Sequence, residues 1–247
     1  MKNTTLENII NKKLDSHTFH DLVPNGLQIE GVKKIKKIIT GVSACQELLD
    51  EAVKLNASAI IVHHGYFWKN STRIIKGMNK KRLKTIINND INLYSWHLPL
   101  DAHPQLGNNV QIAKKLDINI KGYLLPLVPW GNFSKVISGK ELYHKITQAF
   151  NRVPFYEHKN TYPNISKIAW CSGKGQNFIK DINLTNLDAF ITGEISEETI
   201  YIARENNLHF FSIGHYASER DGIKSLSNWL IKKYQLDVTF IDIDNPI

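Results

Sequence analysis

Cysteine is nearly absent: Cys45 and Cys171 stand alone in 247 residues. Two thiols so far apart build neither a disulfide framework nor a thiolate zinc site, and they fit a reducing compartment. Long apolar runs are missing too. No stretch of about 18 apolar residues occurs, which argues against a membrane-spanning helix. No apolar segment of signal-peptide type follows Met1-Lys2-Asn3, so the cytoplasm is the expected compartment. Repeats and low-complexity tracts are likewise lacking. What remains is the composition of a soluble globular protein, 42% hydrophobic and 22% charged, long enough for one large or two small domains. The net charge of +8 could steer a polyanion such as nucleic acid. The lysines are scattered, however, and a joint excess of Lys, Asn and Ile follows from biased base composition alone. The densest cluster, Lys33-Lys34-Ile35-Lys36-Lys37, reads as a loop entering a strand.

The most informative stretch is Ile60-Ile61-Val62-His63-His64-Gly65, an apolar β-branched run that ends in two histidines and a glycine. A buried strand has this form when it delivers ligands at its carboxyl end. Neighbouring side chains on a strand point to opposite faces, so the pair suits two ions, one per histidine, or a turn that begins at His63. Two other segments share the grammar. Ile91-Asn92-Leu93-Tyr94-Ser95-Trp96 runs into His97, with Asp101 beyond it, and Leu208 to Gly214 runs into His215, with Glu219 beyond it. Ligands of open parallel sheets bind outside the carboxyl ends of strands, so three such ends predict one shared cavity.

Around these strands the pattern is α/β. Residues 1–20 read as a helix on Leu6, Ile9, Ile10 and Leu14, followed by a loop through Pro24-Asn25-Gly26. Strand 38–42, helix 46–55 and the histidine strand suit a right-handed parallel crossover. Helices are expected at 80–89 and 108–116. The proline-punctuated segment 125–132 reads as a linker or edge piece leading into a second unit. That unit holds a helix at 138–150, strands at 167–171 and 189–194, and a helix at 197–206. A helix at 222–234 and a strand at 238–241 close the chain. The expectation is two α/β domains with mostly parallel or mixed sheets, 1–124 plus 215–247 and 125–214. Ser172-Gly173-Lys174-Gly175 lacks the spacing of a phosphate-binding loop and reads as an ordinary strand-to-helix turn.

His63, His64, Asp101, His215 and Glu219 together offer imidazole and carboxylate without thiolate, a set that suits Zn, Mn, Fe, Ni or Co. On a helix beginning after Gly214, His215 and Glu219 share one face. A carboxylate can bridge two ions, and a pair of divalent ions activates a nucleophile and clamps a substrate oxygen. His97 suits orientation of a ligand or proton transfer, and His103 before Pro104 shapes the loop. His17, His20, His144, His158 and His209 read as surface or packing residues. The loop Gly65-Tyr66-Phe67-Trp68-Lys69 reads either as packing or as a stacking wall for a flat ring.

These residues together resemble a known family, the dinuclear-metal proteins called GTP cyclohydrolase I type 2, related to NGG-interacting factor three. The likeness rests on Pro24-Asn25-Gly26-Leu27-Gln28, Val62-His63-His64-Gly65-Tyr66-Phe67-Trp68, His97-Leu98-Pro99-Leu100-Asp101, Gly107-Asn108-Asn109, Thr192-Gly193-Glu194 and Gly214-His215-Tyr216-Ala217-Ser218-Glu219-Arg220. It implies two interlinked α/β domains around a two-metal site and a toroidal homohexamer. Carried over by motif, the ligands are His63, His64, Asp101, His215 and Glu219, with Glu219 and also Asp101 as shared ligands and His97 nearby. Tyr216 departs from the family, where a second histidine is common.

Two functions follow as expectations. One is a metal-dependent hydrolase acting on a nucleotide or related phosphorylated ring, in which water attacks the imidazole carbon of guanine and formate is lost, or a phosphoester is cleaved. Lys69 and Arg220 would hold phosphates while Tyr66, Phe67 or Trp68 stacks on the base. The other is a non-catalytic, ring-shaped metal-binding protein that contacts nucleic acid or a protein partner.

Overall fold

A computed structural model describes residues 1–69, 71–182, 184 and 186–247. The chain divides into two compact units, residues 1–106 with 222–244 and residues 107–221 with 245–247.

In the first unit the elements are α1 (Asn3–Leu14), β1 (Gly26–Ile29), β2 (Lys37–Ser43), α2 (Gln46–Lys54), β3 (Ala59–His64), α3 (Gly77–Asn88), β4 (Asn92–Ser95) and α4 (Leu98–Ala102), with β11 (Asp237–Phe240) from the end of the chain. The sheet order is β1-β4-β3-β2-β11, parallel except for β1. Strand alternation sorts its side chains. Ile39, Ile60, Val62 and Leu93 pack on Leu48, Leu49 and Ala52 of α2 and on Ile86 of α3. From the opposite face the Tyr94 hydroxyl donates to the Asn3 carbonyl of α1 and the Trp96 indole donates to Asn11. Thr40 hydrogen-bonds Ser227 there at 2.8 Å. Because β2, β3 and β4 run in parallel, their carboxyl ends lie along one edge, and that edge carries the histidines.

The second unit holds α5 (Asn108–Leu116), β5 (Ile118–Leu125), β6 (Val128–Ser138), α6 (Gly139–Phe150), β7 (Phe155–Glu157), β8 (Asn164–Cys171), β9 (Ala189–Thr192), α7 (Glu197–Glu205) and β10 (His209–Ser212). Helix α8 (His215–Tyr234) follows, its residues through Asp221 counting with this unit and those from Gly222 with the first. The mixed sheet has the order β5-β6-β8-β9-β10-β7, with β8, β9 and β10 parallel. Ile168 and Trp170 pack under α5 and α6, while Ala169, Cys171, Phe190 and Phe210 pack under α7. Both faces of the sheet are therefore covered at its centre, where β9 is buried along its whole length.

The structure departs from the sequence reading along segment 125–132 and at the boundary between the units. The segment 125–132 is neither linker nor edge. It turns β5 into β6, and β6 pairs with β5 on one side and β8 on the other. Pro129 is tolerated there beside a register irregularity between Tyr123 and Leu125. The unit boundary falls at Leu106 rather than at 124, because Ile112, Ala113 and Leu116 of α5 are buried with Ile168 and Trp170. Ala217 joins the same core, which assigns the first turns of α8 to the second unit. Among the described residues no helix is long and apolar enough to cross a membrane.

Candidate metal centre

The first unit gathers one group of donors. Strand β3 stays extended through both histidines, and Ser43 pairs with His64 in the ladder. Even so, the two rings approach to 4.6 Å between centroids, and the His97 ring lies 5.0 Å from His63 and 5.8 Å from His64. Ring nitrogens of His63, His64 and His97 all fall within 4.8 Å of one another, so extended backbone does not keep neighbouring histidines apart.

Each ring is tethered through Nδ1. The fully buried His63 donates Nδ1–H to the Trp96 carbonyl at 3.0 Å, because a carbonyl can only accept. In the neutral ring this makes Nε2 the lone-pair atom, and Nε2 lies 3.5 Å from Asp101 Oδ1. His64 Nδ1 meets the Ser43 hydroxyl at 2.9 Å. His97 Nδ1 meets Asp21 Oδ1 at 2.9 Å. Asp101 is buried on the short helix α4, whose first turn closes on the His97 carbonyl.

Asp21 is a site residue that the sequence reading missed. Burial pushes its carboxyl up, but the His97 contact and hydrogen bonds from Leu98 N–H and Asn25 outweigh that and bring it down to about 2. An ionised Asp21 therefore holds His97 in the Nδ1–H form. The Pro24–Gln28 motif supports the same loops: Asn25 accepts from His97 N–H at 2.8 Å, and Gln28 accepts from Tyr66 N–H at 2.7 Å.

The second unit gathers another group. Helix α8 starts at His215, so Glu219 follows one turn later on the same face, with His215 Nε2 3.0 Å from Glu219 Oε2. His215 Nδ1 meets Glu194 Oε1 at 2.7 Å, and Gln176 donates to the other Glu194 oxygen at 3.2 Å. Burial opposes a charge on His215, yet Glu219 and Glu194 at its two nitrogens raise it to about 9. Burial likewise raises the Glu194 carboxyl, and His215, Gln176 and Lys174 more than reverse the effect, leaving it below its usual value. Glu194 was also missed from sequence, although it lies just beyond the carboxyl end of β9, as the histidines do at the ends of their strands.

The Ser172–Gly175 turn belongs to this second group. Gly173 has φ +60°, and a Cβ there would collide with Glu219 Oε1. Its N–H donates to Ser218 at 2.8 Å, and its carbonyl accepts from the N–H of Gly193 and Glu194. The turn thus cradles Glu219.

The tentative substrate residues divide. Trp68 stands beside the histidines, 5.3 Å from the His97 ring and 5.7 Å from the His64 ring, and is 37% exposed. Tyr66 is turned into the fold, its hydroxyl donating to the Asn79 carbonyl and its ring packed on the α2 core. Lys69 is exposed, and Arg220 is half-buried on α8. His103 accepts from the N–H groups of Gln105 and Leu106, which is the loop-shaping role expected of it.

The donor set fits divalent cations: imidazole nitrogens with tethered tautomers, and buried carboxylates in each unit.

The family described as Duf34/NIF3 (NGG1p interacting factor 3) matches residues 1–246. A protein of Buchnera aphidicola subsp. Schizaphis graminum named GTP cyclohydrolase 1 type 2 homolog is 62% identical over 246 residues, covering 100% of both chains. One of the same name from Escherichia coli K12 is 54% identical, again over 100% of both. Among solved structures, "protein ybgI, unknown function" superposes with TM-score 0.98 at 54% identity, covering 100% of each chain. TTHA1606 from Thermus thermophilus gives 0.92 at 27% identity, also over 100% of each.

Proposed function

The chain belongs to the Duf34/NIF3 family, and from that premise we propose that it is a metal-dependent hydrolase acting on a nucleotide or related phosphorylated ring. His63, His64, Asp101, His215 and Glu219 hold two divalent cations, with His97 beside them. The observation that carries this reading is the common tether. All four histidines are engaged at Nδ1, by the Trp96 carbonyl, the Ser43 hydroxyl, Asp21 and Glu194. Such partners fix a ring and make Nε2 the nitrogen that a cation would take, as metal-binding histidines require. When bound, the cations supply Lewis acidity and a water far more acidic than bulk water.

The remaining work falls to the chain. His97, oriented by Asp21, presents Nε2 as a base or acid for proton transfer. The Trp68 ring supplies a flat apolar surface beside the histidines on which a base can stack. Lys69 and Arg220 are cations suited to phosphate. The names of the relatives favour GTP, whose imidazole ring would open with release of formate.

The test is a nucleotide and phosphoester screen on protein loaded with Zn, Mn, Fe, Ni or Co in turn, with His64→Ala as control. The expected result is turnover of at least one nucleotide that falls at least about 100-fold in the variant, together with lost metal. No turnover of any compound, or equal turnover by wild type and variant, would overturn it. The ring of six chains that the resemblance implies is checked by light scattering, which should read six times the 28.3 kDa chain mass; a monomer reading would dismiss it.

A further inference from the structure

Within the second unit a cavity of about 470 Å³ opens between the start of α6 and strand β7, lined in part by Tyr143, Tyr156, Pro163, Lys140, His144 and His158. None of these residues takes part in either donor group. The volume lies in the range of small-molecule sites, and the walls are mostly apolar.

The chemistry of the lining follows from one buried pair. His209, 3% exposed, donates Nε2–H to the Tyr162 carbonyl, so its Nδ1 must accept, and the Tyr156 hydroxyl donates to it at 2.7 Å. Burial, with the His158 charge adding to it, pushes His209 below its usual value, which keeps the ring neutral and able to accept. The Tyr156 hydroxyl is held against Gly139, where an added Cβ would collide with it. The polar end of Tyr156 is thereby committed to the interior, and its ring lies between Phe211, stacked at 4.3 Å, and His158, stacked at 4.7 Å. Tyr143 stands 5.9 Å from Tyr156 between centroids, so the rings offered to a guest are those of Tyr143 and His158.

Charge sets the other half of the specificity. The lining includes Lys140 and the imidazoles of His144, His158 and His209, and no carboxylate. Lys140 is exposed and forms no ion pair among the described residues. A neutral apolar guest would leave the Lys140 ammonium unanswered, and a cation would be repelled by it. We propose that this cavity is a second ligand site, which takes a small flat aromatic anion with its ring on Tyr143 and His158 and its acidic group toward Lys140 and His144.

The probes are 1-naphthoate and its uncharged methyl ester, titrated by calorimetry into the metal-loaded full chain. Naphthoate should bind at least about tenfold tighter than the ester. Lys140→Glu combined with His144→Glu, both at exposed positions, should weaken naphthoate at least about tenfold and leave the ester and the metal content unchanged. Lys121→Glu, an exposed substitution outside the cavity, should change nothing. A second variant, Tyr143→Ala, should weaken both probes together, because it removes wall and not charge. Equal affinity for the two probes, or naphthoate binding indifferent to the double charge reversal, would overturn the proposal. Metal content and nucleotide turnover are read in the same samples, so failure of the metal reading leaves this outcome standing.

Discussion

An acceptor on Nδ1 does two things to a histidine: it picks the tautomer and it stops the ring from turning. Asp21 does both for His97, and as a charge stabilised to about 2 it stays ionised through the neutral range. Asp21→Asn keeps the shape and removes the charge. Its expected effect is a fall of about 10–100-fold in metal affinity with the fold retained, read by competition with a chromogenic chelator. Unchanged affinity would separate His97 from the cations. Gly173 is constrained by space and by conformation at once. A side chain there would run into Glu219 Oε1, and φ of +60° strains any L-residue. Gly173→Ala should cost roughly 1–3 kcal/mol from backbone strain alone, which lowers the melting temperature by about 2–4 °C per kcal/mol. Metal content should fall with it as Glu219 is displaced. Wild-type melting with full metal would count against the cradle. These carboxylates and this glycine explain what the sequence hid. Asp21 and His97 are 76 positions apart, and only the return of the chain from β4 makes them partners. The histidine candidates were legible because each followed an apolar run; Asp21 sits in a loop with no such run.

Elements tell the same story on a larger scale. Helices α2, α5 and α6 were legible because their apolar positions recur at helical spacing, and Leu48, Leu49 and Ala52 are indeed the buried face of α2. The parallel strands were legible as short apolar runs. The strands that escaped notice are those without a pattern of their own. β1 has four residues and a bulge, and β7 has three. Segment 125–132 misled because its prolines argue against a strand, and the turn and register irregularity that accommodate them come from pairing rather than composition. Strand β7, at the sheet edge, is tied to α7 by Arg204, whose Nε and Nη2 both donate to Glu157 Oε2, at 3.0 and 2.7 Å. Burial raises the Glu157 carboxyl, but Arg204 and the N–H groups of Lys159 and His158 outweigh it, and its value is lowered. A lowered carboxyl stabilises the fold fully above its unfolded value of about 4.5 and loses that contribution as pH falls through the folded value. Glu157→Gln should therefore destabilise by no more than about 1 kcal/mol at pH 7, given that Arg204 is 40% exposed. The difference from wild type should vanish toward pH 3 in urea melts. A difference that persists undiminished at pH 3 would assign it to packing instead.

At the scale of the whole molecule the donors are divided: His63, His64, His97 and Asp101 belong to one compact unit, and His215, Glu219 and Glu194 to the other. Either each unit holds its own cation or the two groups serve the same pair, and the alternatives differ in additivity. Independent sites give independent losses. His64→Ala would then remove one ion, Glu219→Ala the other, and the double variant both, with free energies that sum. Shared ions couple the losses, because removing one ligand already releases what the second ligand would have held. The expected outcome is the coupled one. The double variant should lose little beyond either single variant, with an interaction energy of about 0.5–3 kcal/mol in a double-mutant cycle on metal affinity. Ligand linkage supplies a second measurement. A cation at 100 times its dissociation constant stabilises the folded chain by about 2.7 kcal/mol. Shared ions should therefore raise the unfolding free energy of both units together, and a chelator should lower both together. Strictly additive affinities, or metal that protects one unit from unfolding while the other melts as the apo-protein does, would assign each cation to a single unit and undo the dinuclear reading.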